Sequence, residues 1–445
     1  MRTIKTITEM FVFLILFATG ISGQCLTEND NPPMMNPEMV KGLTDARFTF
    51  AMDSLRKTAL IETTDNIFFS PHSLHQALTL AYFGARGTTE ASLKSALRIP
   101  DNLSKIDVQR LYAFEQSIRQ QRDSQENATS DYVYRSANKL WLTDAKKLRE
   151  CVFDFFDDEL EKVDFKKNPA DARKRINDWV SNTTKGHIRD LLPEGSIDDQ
   201  TDCVLSNAVF FKGFWQSRFD PANSKKDLFY ISGSQNSVVK FMRQKKAFNH
   251  VVSEELGAHV LELPYKGEEV SMYVLLPPFA TARALTDQQP SDRDGVRQLI
   301  ERLSTEKGAQ ELKELLEVGM PLHEVEVSIP RFGVERELPL GQLLPAMGAG
   351  EVLTPSADLR GFLADGEASL HIGDAVHRAK IEVTEEGTTA AAATAIFSFR
   401  SSRPSEPAIF NANHPFIYFI YDQPTRTILF SGVYRTPAPI TPETS

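Results

Sequence analysis

From Gly387 to Phe399 the chain carries no charge and no proline, and Arg400-Ser401-Ser402-Arg403-Pro404 follows at once. A basic residue followed by a small one suits the acid-lined pocket of a trypsin-like protease. Arg400-Ser401 therefore reads as a bond offered to an enzyme rather than as part of one. Phe399 would suit a chymotrypsin-like pocket instead, and Arg403 is disfavoured by the proline after it. The residues upstream carry a second kind of chemistry. Thr388, Ala390, Ala392 and Thr394 alternate with Thr389, Ala391, Ala393 and Ala395, small on both sides, so the stretch could enter a preformed sheet as a strand without clash. A proline there would delete a ladder hydrogen bond, and a core-facing charge would cost several kcal/mol. Four consecutive alanines also suit a plain helix or linker. That blander reading leaves unexplained why small uncharged residues end where a cleavable sequence begins.

Enzyme chemistry is not legible elsewhere. There is no Gly-x-Ser-x-Gly elbow, no phosphate-binding loop and no Cys-x-x-Cys pair, and His323-Glu324 lacks the second histidine of a zinc helix. Gly348-Ala-Gly350 has neither a third glycine nor a preceding strand, so no dinucleotide site is expected, and no metal or cofactor either. Fifty Lys+Arg against sixty Asp+Glu leave a net charge of −10, which gives no footprint for nucleic acid. No apolar run after the first thirty residues is long enough for a membrane span. Arg2 and Lys5 precede the apolar stretch Met10 to Ala18, and Ser22-Gly23 follows, the order of a secretory signal over residues 1–23. Secretion is supported by three glycosylation acceptors, at Asn102, Asn127 and Asn182. Of Cys25, Cys151 and Cys203, at most one internal pair can form, and the sequence does not choose it.

The elements that must position this segment are mixed. Helical spacing covers 39–61, 74–83, 88–98, 107–122, 150–160 and 171–191, and Ser70-Pro71 opens the second of these. Strand-like runs fall at 132–142, 203–211, 259–264, 270–276, 324–329, 380–384, 415–421 and 427–434. Helices dominate early and strands late without βαβ alternation, which predicts an α+β fold. Residues 24–38 read as a flexible leader, 39–436 as a single domain, about 279–294 as a surface insertion and 437–445 as a tail.

Motifs along the whole mature chain then converge. Glu385-Glu386-Gly387-Thr388-Thr389-Ala390-Ala391-Ala392-Ala393 resembles the hinge of inhibitory serpins. Asn66-Ile-Phe-Phe-Ser-Pro-His-Ser73, Gly84-Ala-Arg-Gly87, Asn177-Asp-Trp-Val180, Thr184-Lys-Gly-His-Ile188, Leu205 to Trp215, Asn413-His-Pro-Phe416 and Phe430-Ser-Gly-Val433 resemble further serpin motifs in the right order. The resemblance, to an inhibitory and secreted invertebrate type, implies three β-sheets and about nine helices with an exposed reactive centre loop at about 385–408. It implies a shutter of Ser70, Asn207 and His377, a breach tryptophan at Trp215, and a partner for Glu385 at Arg331. It also implies that a serine protease cuts the loop and is trapped as an acyl complex when the loop inserts. The family's spacing from Gly387 points to Ser401-Ser402 as the bond, whereas side-chain chemistry favours Arg400-Ser401; both stay open. The function expected is a monomeric, secreted inhibitor of serine proteases, trypsin-like ahead of chymotrypsin-like, in an immune or clotting-like cascade. The alternative is a non-inhibitory serpin that binds or carries. For a heparin-like polyanion the candidates are Lys105, Arg110, Arg119 and Arg122, with short basic clusters at Lys166-Lys167, Arg173-Lys-Arg175 and Arg243-Gln-Lys-Lys246, a weak signal.

Overall fold

The structure is a computed structural model that describes residues 25–27, 30, 37–124, 132–156, 158–279, 295–386 and 407–437. Its helices are α1 (Pro37–Ile61), α2 (Pro71–Gly84), α3 (Gly87–Ala96), α4 (Lys105–Ser124), α5 (Glu150–Phe156), α6 (Pro169–Thr183), α7 (Gly295–Leu303), α8 (Glu306–Glu317) and α9 (Leu340–Ala346). The strands are β1 (Ile67–Phe69), β2 (Tyr132–Thr143), β3 (Leu160–Val163), β4 (Cys203–Gly213), β5 (Lys225–Tyr230), β6 (Asn236–Ser253) and β7 (Ala258–Pro264). They continue as β8 (Val270–Leu276), β9 (Leu322–Pro330), β10 (Phe332–Leu338), β11 (Asp374–Val383), β12 (Ala408–Asn411), β13 (Phe416–Asp422) and β14 (Thr427–Tyr434). The mixture is the α+β class expected.

One sheet runs β10-β11-β4-β2-β3. The other runs β1-β14-β13-β8-β7-β6-β9-β12, with β5 added on β6. Three sheets were expected, and among the described residues two hydrogen-bonded networks are found. The reason is β6, an unbroken strand of 18 residues. Its first part pairs with β5 and β9, and its last four residues pair with β7, which joins what would be two sheets.

Helix α2 lies buried along its whole length. Pro71 fits its first turn because the missing N–H has no partner there in any helix. Ser70 caps it by accepting the Ser73 N–H at 3.1 Å. Two predicted helices run too long. The first ends at Phe156, and Leu160 already belongs to β3. The second stops at Thr183 rather than 191, because Lys185 and Gly186 take φ of 53° and 78°, which no α-helix accommodates.

Cys25 and Cys151 are disulfide-bonded, with Cα atoms 6.0 Å apart and 126 residues between them in sequence. Arg149 Nη1 donates to the Cys25 carbonyl at 2.8 Å, and so holds the leader to the start of α5. Cys203 is left buried, and burial pushes its thiol well above its ordinary range. Thiol titration should therefore find one free cysteine that reacts only after unfolding. Reducing the bridge, or replacing Cys25 and Cys151 by Ser, should cost about 2–4 kcal/mol in denaturant melts. Two or more free thiols in the untreated protein would exclude this pairing.

Candidate functional site

The hinge segment leaves the end of β11, so the site begins with that strand. β11 pairs with β4 in parallel, from Asp374↔Val204 to Glu382↔Lys212. Both strands finish at the same end of the sheet, and no strand separates them. A segment turning back from Val383 would run antiparallel to both neighbours. It would replace one parallel ladder, the slightly weaker kind, by two antiparallel ones. Gly387, Thr388, Thr389, Ala390, Ala391, Ala392, Ala393, Phe399, Arg400, Ser401 and Ser402 lie outside the described residues, as does Asn127. The chain is described again from Pro407, just before β12 in the other sheet.

Midway along the seam the structure brings together Ser70, Asn207 and His377. Asn207 and His377 are opposite one another in the ladder, and both are buried. The Ser70 N–H donates to His377 Nε2 at 3.0 Å, which assigns the ring proton to Nδ1, where it bonds the Asn207 side-chain oxygen. The Ser70 hydroxyl donates to the Leu429 carbonyl at 2.6 Å. Asn207 Nδ2 donates to Ser73 Oγ at 2.8 Å and also to Asn138 Oδ1. Ser73 Oγ in turn meets Ser136 Oγ at 3.1 Å. The cluster thus spans β11, β4, β2 and the first turn of α2. Ser73, Ser136 and Asn138 were missed in the sequence. Ser136 and Asn138 recur with period two in β2, but polar alternation in a strand ordinarily marks a solvated face.

The upper end of β11 is held by charge and an indole. Trp215 Nε1 donates to the Thr384 carbonyl at 2.8 Å while its ring stacks on Tyr265, centroids 4.5 Å apart. The Glu385 carboxylate is buried. Lys240 lies 2.7 Å from it and Ser224 Oγ donates at 2.9 Å, whereas the expected partner Arg331 stands at 3.7 Å. Burial pushes the Glu385 carboxyl up, but bonds from Lys240, the backbone and Ser224 outweigh it and leave the group below its ordinary range. Glu386 pairs with Lys212 of β4 at 2.9 Å. Lys240 and Ser224 flank or lie on β5 and β6, elements the sequence did not reveal.

A strap crosses the seam. Arg378 of β11 donates to the carbonyls of Arg189, Asp190 and Leu191 at 3.2, 3.1 and 3.3 Å. His187 stacks on Phe210 of β4 with centroids 3.6 Å apart and planes 6° from parallel. Asn177 fixes the far end, donating to the Leu192 carbonyl at 3.0 Å and accepting its N–H at 2.8 Å. Residues 187–192 therefore touch both strands of the seam, where the sequence predicted more helix.

The remaining candidates are dispersed. Asn102 and Asn182 are exposed. Lys105 is buried against Glu90 at 3.0 Å and is withdrawn from any polyanion surface. Arg175 bonds Glu161 at 2.6 Å, and Arg173 donates to the Leu192 carbonyl at 3.2 Å. Among the described residues no group of three or more His, Cys, Asp or Glu could hold a metal ion.

Burial lowers His377 from 6.5 to about 3, and His75 likewise. Both stay neutral when folded but take up a proton in the unfolded chain below about pH 6.5. Their contribution is complete above that pH and is lost as pH falls, by about 1.4 kcal/mol per pH unit for each group. His377→Gln should flatten the acid branch of the stability curve by about that slope, and an unchanged branch would contradict the assigned neutral ring. Arg378→Ala should speed amide hydrogen exchange in residues 184–192 while exchange in α2 stays constant.

Comparisons with known proteins agree with this geometry. The serpin family model (serine protease inhibitor) matches residues 45–437. Serine protease inhibitor 88Ea of Drosophila melanogaster is 35% identical, covering 98% of this chain and 99% of that protein. Leukocyte elastase inhibitor of Equus caballus is 34% identical, covering 89% and 99%. Among solved structures, uncleaved ovalbumin aligns with a TM-score of 0.73 at 26% identity over 89% of this chain and all (100%) of that one. Serpin48 of the insect Tenebrio molitor aligns at 0.71 and 25% identity over 91% and 100%. A closed parallel seam, a polar cluster beneath it and a full-length family match lead to one conclusion: the chain belongs to the serpin family.

Proposed function

We propose that the protein is a secreted suicide-substrate inhibitor of a trypsin-like serine protease. The observation that carries the reading is the direct parallel pairing of β4 and β11, from whose upper end the small, uncharged sequence Gly387 to Ala395 departs. The protease serine oxygen attacks the Arg400 carbonyl carbon. The Arg400–Ser401 peptide bond breaks, the Ser401 amine leaves protonated, and an ester links Arg400 to the enzyme. The freed segment then enters between β4 and β11. About nine added hydrogen bonds at about 1 kcal/mol each supply on the order of 10 kcal/mol, comparable to a protein's whole stability. The ester is thereby carried away before water can resolve it.

Support for secretion comes from the signal-like residues 1–23 and from the Cys25–Cys151 bond, which belongs to an oxidising compartment. Glycans would sit on Asn102 and Asn182, both exposed, and on Asn127. The inhibitor acts as a monomer, in an immune or clotting-like cascade, and no step of this scheme needs a polyanion.

Incubation with trypsin and with chymotrypsin tests the scheme. A complex that survives SDS and boiling is expected with trypsin, together with a released peptide that begins at Ser401; a peptide beginning at Ser402 or Arg400 would move the bond. Arg400→Ala should abolish the trypsin complex. Ala391→Pro should leave cleavage intact but lose the complex, and cleaved wild-type protein should melt well above the intact form. Clean cleavage without a complex would favour a non-inhibitory binding role.

A further inference from the structure

The outer face of the β5–β6 hairpin is built unlike an ordinary edge. Leu228 and Val238 are opposite one another in the ladder, and both are exposed, Val238 at 62%. Tyr230 continues the same face two residues on, exposed at 36%. Lys226 precedes Leu228 on the same face, and Lys225, on the alternate face, stands at the start of the strand; both are exposed. An apolar cross-strand pair directed to water, on a chain of net charge −10 that places lysines beside it, needs an occupant.

The hairpin's position names the kind of occupant. At one end Lys240 and Ser224 hold Glu385, where the described chain stops one residue later at Glu386. At the other end the Tyr230 N–H donates to the Asn413 carbonyl at 2.8 Å, two residues after β12. The hairpin thus runs between the two anchor points of residues 387–406. From Ala408 back to Arg400 there are eight residue steps, a reach of at most about 29 Å. Three strand spacings, β12 to β9 to β6 to β5, span only about 15 Å. A protease that grips Arg400 is therefore held within reach of this hairpin. A protease–inhibitor interface of ordinary size buries about 800 Å² and about 20–30 residues on each partner, so the body of the inhibitor beside the cleaved segment can add to it.

We propose that Leu228, Val238, Tyr230, Lys225 and Lys226 form a docking surface for the attacked protease, outside the cleaved segment. It fits a trypsin-like enzyme whose active-site rim presents an apolar side chain flanked by carboxylates. The lysines steer the encounter, and the apolar pair holds the docked complex long enough for acylation. The proposal rests on the inhibitory reading above and adds to it a source of target selectivity that the scissile bond does not carry.

The test uses the intact protein and the trypsin-like protease with which it forms the SDS-stable complex. The double variant Leu228→Ser, Val238→Ser should lower the second-order rate constant of complex formation about tenfold, with stoichiometry and melting temperature unchanged. Lys225→Glu, Lys226→Glu should lower it similarly at low salt, and the loss should shrink at 0.5 M salt. Equal rates for both variants and wild type, with the complex still forming, overturn the docking surface and leave the inhibitory reading standing. A faster rate in the serine variant also overturns it, because the patch would then be restraining the chain's own segment. If wild-type protein forms no complex with any serine protease, the inhibitory reading fails and the proposal falls with it.

Discussion

Between β4 and β11 two parallel strands are bonded edge to edge although nothing covalent requires them to meet. Everything near the site is arranged about that seam. The first turn of α2 sits beneath it like a rail: Ser70 binds the β11 side through His377, and Ser73 binds the β4 side through Asn207. Only the His377–Asn207 bond crosses from one side to the other within this cluster. If the strands part, each keeps its bond to the rail, and besides the ladder itself this cluster loses only the crossing bond. Residues 187–192 close the outer face in a different way, bonded to β11 through Arg378 and stacked on β4 through His187.

In the proposed scheme, the upper end of β11 is held fast up to Glu386, so movement would begin after it. Thr384, Glu385 and Glu386 are each engaged, by Trp215, by Lys240 with Ser224, and by Lys212. A buried carboxylate is costly unless paired and fully hydrogen-bonded, and Lys240 with Ser224 meets that need for Glu385 where it stands. Three consecutive anchored residues before a glycine make a fixed post followed by a pivot, since glycine reaches backbone conformations that other residues resist.

The meeting of Ser70, Asn207 and His377 and the place of Trp215 beside the end of β11 were legible because each sits in a motif of fixed residue type and chain position. What was hidden depends on neighbours brought in from afar. Lys240 lies in β6, where burial falls on odd positions at Val239 and Phe241, on even ones at Met242, Phe248 and His250, and on an odd one again at Ser253. A strand that twists its buried face through the turn of one sheet into another erases the period-two signal, and Arg243 to Lys246 then read as a solvated basic cluster. The merged second sheet was unreadable for the same reason. Helix 171–191 was over-extended because apolar Ile188, Leu191 and Leu192 keep helical spacing while burying against Ala208 and Val376 as a strap. The Cys25–Cys151 pairing needed three-dimensional proximity that no spacing rule encodes.

The polarity of the seam has its own logic. Apolar contacts across it would be non-directional, and separating the strands would expose surface that only an equally apolar insert could cover. Hydrogen bonds trade differently: exchanging one partner for another inside the protein is nearly neutral, while leaving a buried group without one costs about 1–3 kcal/mol. The ladder and the His377–Asn207 link are therefore secure as long as no other strand is available, and replaceable once one is. Small side chains upstream of Arg400 meet the remaining requirement, because an insert that brings backbone donors and acceptors with little bulk satisfies both edges without forcing α2 or the strap far from the sheet. In the proposed scheme, closure held by exchangeable bonds and an insert made almost wholly of backbone are two halves of one device.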